Sequence, residues 1–110
     1  MNQTSVRAAL AAAVVAMSGM AAAEPKTIDV VIEHFAFAPA SIEARPGDTV
    51  VFVNHDITTH TATAVDGSWT TNDVASGQSA RVVVPATGDG AYVCRYHPVM
   101  KGRIVIRAPN

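Results

Sequence analysis

Beyond Ala23 this 110-residue chain sustains no helical periodicity over three turns; its apolar residues alternate in short runs cut by turn residues. In "TIDVVIE", Ile28, Val30 and Ile32 share one face, while Thr27, Asp29 and Glu33 take the other. That period of two marks a half-buried strand. "SIEARPGDTVVFVN" reads as a short strand, a turn at Pro46-Gly47-Asp48 and a β-rich run. "HTATAV" runs to the Asp66-Gly67 turn, and "SARVVVP" is a strand closed by Pro85. "TGDG" leads into "AYVC", and "GRIVIR" ends the pattern with Ile104 and Ile106 on one face. "SWTTNDVAS" has room for one irregular or helical turn at most. About seven to eight short strands at this spacing predict one all-β domain, an antiparallel β-sandwich or small barrel.

The first 23 residues stand apart from this pattern. "MNQTSVR" carries one base and no acid, and the uncharged "AALAAAVVAMSGMAAA" follows, with Ala21 and Ala23 just before Glu24. Those features describe a secretory signal peptide over 1–23. The apolar run is shorter than the roughly 20 residues a membrane span needs. The expected domain is 24–110, exported to the periplasm. It carries nine acids against seven bases, scattered without a basic run, so nucleic acid is not an expected partner. With a single cysteine, Cys94, it can form no internal disulfide. An exported chain must then hide that thiol, pair it with another chain or bind something with it. A bound metal would also stabilise so small a fold.

Cys94 belongs to "CRYHPVM", where His97 follows at the third position and Met100 at the sixth. The run is a tight loop between the predicted strands "GAYVC" and "GRIVIR", and Pro98 stiffens it. A thiolate, an imidazole and a thioether spaced three apart on such a loop can converge on one point, and that soft set suits copper. A trigonal blue-copper plane needs a second imidazole. His34, His55 and His60 are the candidates. His60 opens the "HTATAV" run at a strand end and is the assigned ligand. His55 sits in the polar turn "NHD" and is expected to face solvent. His34 shares parity with Ile28, Val30 and Ile32 and is expected to be half buried, with an ordinary hydrogen bond. Taken singly, a buried cysteine, a core methionine and a loop histidine are ordinary. Their joint spacing is not, and the main competing reading is zinc on the same donors.

"VFVNHDITTHT" and "GAYVCRYHPVMKGRIVI" resemble the cupredoxins, small blue-copper proteins, and most closely the amicyanin-like branch with its short ligand loop. The resemblance implies a Greek-key sandwich holding one type 1 copper through His60, Cys94, His97 and Met100, with Asn54 as the asparagine upstream of the first histidine. Relatives often carry asparagine directly after that histidine to brace the cysteine loop; here Thr61 stands there, and its hydroxyl is expected to do the same. Tyr96 replaces a proline and keeps an N–H that could reach the Cys94 sulfur. The resemblance also puts His97 near the surface in an apolar docking patch, for which Pro98, Val99, Phe37 and Pro39 are candidates.

These readings converge on a monomeric electron carrier, not an enzyme. It would cycle Cu(II)/Cu(I) between redox proteins such as a dehydrogenase, an oxidase or a c-type cytochrome, docking weakly near His97. The rival is a copper delivery or storage protein. Exposed clusters of Met or His would favour that rival, yet Met100 is the one methionine after the expected leader. A multicopper oxidase or nitrite reductase needs further copper sites and domains.

Overall fold

In the computed structural model, residues 24–108 are described. The expected leader, 1–23, lies outside them. Eight strands follow one another: β1 Thr27–Glu33, β2 Ala36–Ala38, β3 Ser41–Ala44, β4 Thr49–Asn54, β5 Thr63–Ala64, β6 Ser79–Val83, β7 Ala91–Val93 and β8 Lys101–Ile106. No helix among the described residues is long and apolar enough to cross a membrane. The strands form two four-stranded sheets, ordered β2-β1-β4-β6 and β3-β8-β7-β5, so the chain repeatedly crosses between layers. This is the expected Greek-key sandwich, with one difference in detail. Its sheets are mixed, because β1 pairs with β4 and β3 with β8 in parallel.

Alternation explains the core. Val30 and Ile32 of β1, Val50 and Phe52 of β4, and Ile104 of β8 are fully buried. Phe37, Phe52, Trp69 and Tyr92 pack as an aromatic cluster between the sheets, with ring centroids 4.8–6.2 Å apart. Gly102 makes room for it. It lies opposite Tyr92 across the β7–β8 pair, and a Cβ there would come within 2.2 Å of the Tyr92 ring.

The β1–β2 connection departs from expectation. Glu33 pairs with Ala36, which leaves a two-residue turn at His34-Phe35, with φ of 54° and 53°. Such tight hairpin turns need positive φ at both central residues, usually supplied by Asn or Gly. For side chains with a Cβ the left-handed region costs roughly 1–2 kcal/mol per residue. His34 is therefore exposed on the turn, where strand parity had suggested partial burial. "HTATAV" is also less regular than expected: only Thr63 and Ala64 pair in a sheet, while His60 is held by a separate bridge to Val74.

Two buried side chains close the ends of β4. Asp48, just before it, accepts the amides of Lys26 (2.8 Å) and Arg45 (2.9 Å). The Arg45 amide, then the Lys26 amide, hold its carboxyl below the ordinary carboxylate value despite burial. Asn54, the last residue of β4, donates to Thr58 O and Val74 O and accepts the Asp56 amide, all at 2.8–2.9 Å. A buried amide so fully used is not a cost to the fold, and it shapes the loop that leads to His60.

Candidate metal centre

The spacing of "CRYHPVM" has a local cause. The His97 amide donates to Cys94 O (3.2 Å) and the Met100 amide to His97 O (2.8 Å), so two successive turns each close over three residues. Pro98 occupies the second position of the second turn, where its fixed φ fits. The Cys94 amide bonds back to Met100 O at 3.1 Å and seals the loop. Cys94 and Met100 are buried, and His97 is half-buried.

His60 arrives on the segment leading into β5, which pairs with β7 beside Cys94. Its amide and carbonyl both pair with Val74, and its side chain is fully buried. Its Nδ1 lies 3.7 Å from Cys94 Sγ, and His97 Nδ1 lies 3.8 Å from the same sulfur. One donor atom from each of His60, Cys94 and His97 falls within 4.8 Å of the others. His34 and His55 are exposed and stand outside this group.

The spacing is a test of whether an ion fits. With metal–sulfur about 2.3 Å and metal–nitrogen about 2.0 Å, those separations correspond to S–metal–N angles of about 120°. A thiolate and two imidazoles, on a loop that also carries a buried methionine, match the donor preference of copper.

Hydrogen bonds around the donors decide their orientation. His60 Nε2 is 2.8 Å from Asp56 Oδ2. A carboxylate only accepts, so Nε2 donates to Asp56, and Nδ1 is the ring nitrogen that faces Cys94. Burial pushes the Asp56 carboxyl up, yet the Phe35 amide, the His60 ring and the His34 amide outweigh it and hold it below the usual range. Thr61, fully buried, serves the cysteine loop as expected: its Oγ1 accepts the Arg95 amide at 2.9 Å. Its own amide donates to Cys94 Sγ at 3.4 Å. That corrects the expectation for Tyr96: among the described residues, the amide reaching the sulfur is that of Thr61. Tyr96 instead donates its hydroxyl to Asp73 at 2.5 Å, tying the loop to a neighbouring one.

Two residues at the site escaped sequence reasoning. Phe35 lies edge-on to both imidazoles, with ring centroids 5.0 Å from His60 and 5.0 Å from His97. Asp56 was read only as part of a polar turn. A positive-φ turn without Gly or Asn leaves no composition signal, so nothing in the sequence announced Phe35. The docking-patch expectation changes accordingly. Phe37 is buried in the core, whereas Phe35, Val99 and Ile57 are exposed apolar residues, at 48%, 87% and 95%.

Residues 6–106 match the family model described as a cupredoxin-like domain. Among solved structures, the chain is similar to a copper-containing nitrite reductase from Thermus scotoductus SA-01. The identity is 30% over 84% of this chain and 25% of that one, with a TM-score of 0.69. This chain thus spans a quarter of that enzyme's length. It is also similar to an amicyanin variant, with 22% identity over 74% of this chain and 82% of that one at a TM-score of 0.64. A reduced Cu(I) form of another amicyanin variant at pH 4 matches with 21% identity over 81% and 88%, at a TM-score of 0.65. At these identities the likeness to amicyanin is one of fold. The comparison with curated proteins finds no match.

Proposed function

The chain belongs to the cupredoxin-like family, and from that premise we propose that it is a small exported electron carrier with one type 1 copper held by His60, Cys94, His97 and Met100. The observation that carries this reading is the convergence of one donor atom each from His60, Cys94 and His97 within 4.8 Å. Copper bound there would supply a reversible one-electron couple. The chain's contribution is rigidity. His60 is clamped to Val74 through its backbone, Cys94 is braced by Thr61, and the ligand loop is closed by its own turns. Donors that cannot relax when the charge changes keep the rearrangement on electron transfer small. The burial of Cys94 and His60 favours a retained ion over one handed on, and so favours the carrier over copper delivery.

With four protein donors no position is left for a substrate, and the chemistry falls to partner proteins. His97 is the half-buried donor and the route outward. Phe35 packs on it, and Val99 extends the apolar surface of the same loop. A small apolar surface of this kind suits brief docking with a dehydrogenase, an oxidase or a c-type cytochrome. Export through the 1–23 leader would place the carrier in the periplasm. The test is a Cu(II) titration of the metal-free protein. An intense blue cysteinate-to-copper band, saturating at one copper per chain and lost in Cys94→Ser, is the expected result. A colourless protein, or one taking several coppers without that band, sinks the reading.

A further inference from the structure

We propose that Asp56 is a positioning residue of the metal centre, a single carboxylate that joins the orientation of His60 to the seating of Phe35. The inference rests on the copper reading above and concerns residues outside the donor set. Asp56 Oδ1 accepts the His34 amide at 2.8 Å, and Oδ2 accepts both the Phe35 amide at 3.0 Å and His60 Nε2 at 2.8 Å. Its own amide donates to Asn54 Oδ1 at 2.9 Å. One side chain thus connects the β1–β2 turn, the end of β4 and a buried imidazole.

The turn it holds is one the sequence does not favour. His34 and Phe35 both take left-handed backbone without the freedom of glycine, and such outliers persist where surrounding structure imposes them. Asp56 supplies that constraint through both amides. The outcome is a Phe35 ring edge-on to His60 and His97, at interplanar angles of 89° and 86°. A loop staple alone would have no need of the imidazole, and an imidazole orienter alone would have no need of the turn. Asp56 does both, so the proton position on His60 and the apolar cover over His97 are set together.

Two measurements test this. In the metal-free protein, 1H–15N correlation spectra of the imidazoles read the His60 tautomer without any ion or variant. Protonated Nε2 supports the inference, and protonated Nδ1 overturns it. The second is Asp56→Asn titrated with Cu(II) and examined by voltammetry. Loss of an outer hydrogen-bond partner of a metal-ligating histidine typically weakens binding about 10–100-fold, and that is expected here. The reduction potential should rise, because a less basic His60 favours the oxidised ion less. In the metal-free variant the His97 ring protons should also shift, as they should in Phe35→Leu, where the His60 Nε2–H stays in place. Copper affinity within about twofold of wild type, with unchanged potential, would refute the role of Asp56. If Asp56→Asn does not fold, the wild-type tautomer and the His97 shifts in Phe35→Leu decide it. A wild type without the blue band would fail the copper reading alone, since the tautomer measurement needs no metal.

Discussion

Strand β4 is flanked by two aspartates that perform the same backbone task at opposite ends of the sandwich. Asp48 accepts the amides of Lys26 and Arg45, and Asp56 accepts those of His34 and Phe35. Each ties an end of β4 to an end of β1, its parallel partner. Only Asp56 also accepts from an imidazole. At the far end the neighbours are the cations and carboxylates of a polar cleft, Lys26, Glu43, Arg45 and Arg107. At the donor end they are Cys94, two histidines and an aromatic ring. One structural device thus serves stability alone at one end, and at the other is shared with the site. The chemistry follows from what the strand ends deliver, and the staple itself is common to both.

The comparison can be broken most forcefully at Asp48. Asp48→Ala leaves two backbone amides without their acceptor, at about 1–3 kcal/mol for each such loss, so a destabilisation of about 2–6 kcal/mol is expected. Thermal melting of the metal-free protein checks it, while the absorption of the copper form should not change. The acid limb carries the same signature. The folded carboxyl lies below its ordinary value of 3.8. Its stabilising contribution is therefore complete above that value and is lost as pH falls below it, through the lowered folded value. Asp48→Asn should lack this part of the acid decline in melting temperature. A change in the blue band on losing Asp48 would mean that the two ends are coupled.

A smaller effect, of opposite character, is expected at Thr61. Thr61→Val keeps the shape and the amide to Cys94 Sγ but removes the acceptor for the Arg95 amide. Because Arg95 is exposed and water can substitute, the cost in stability is about 1 kcal/mol. The position of the cysteinate absorption should nevertheless move, since the loop bearing Cys94 loses its brace. An unmoved band would show that the loop's own turns suffice. The smallest effect belongs to Glu43→Gln. Its pair with Arg107, at 2.7 Å, is open to solvent on both sides. Pairs of this kind contribute little, and unchanged melting is expected. A clear drop would mean that the far-end cleft is more than a solvated surface.

The local features of the molecule were readable in the chain. The spacing of Cys94, His97 and Met100 is that of two consecutive turns, and a turn is a matter of neighbouring residues. The alternation in β1 put Val30 and Ile32 on one face, and both are core, because a strand has only two faces. His60 was set apart from His55, which lies in a polar turn, and from His34, which strand parity put half buried at a strand end. The bond of Thr61 to the cysteine loop was implied by the family resemblance. What only the tertiary structure decided was register. The tight turn at His34-Phe35 pairs Ile32 with Phe37, and directly opposed residues share a face, so Phe37 enters the core and Phe35 is left over the imidazoles. No residue at that turn signals it, because the contact that holds it comes from Asp56, more than twenty positions away. A strand pattern can say which side chains face inward along one strand. Where that strand stops, and what it meets there, depends on groups brought close only when the sheets have closed.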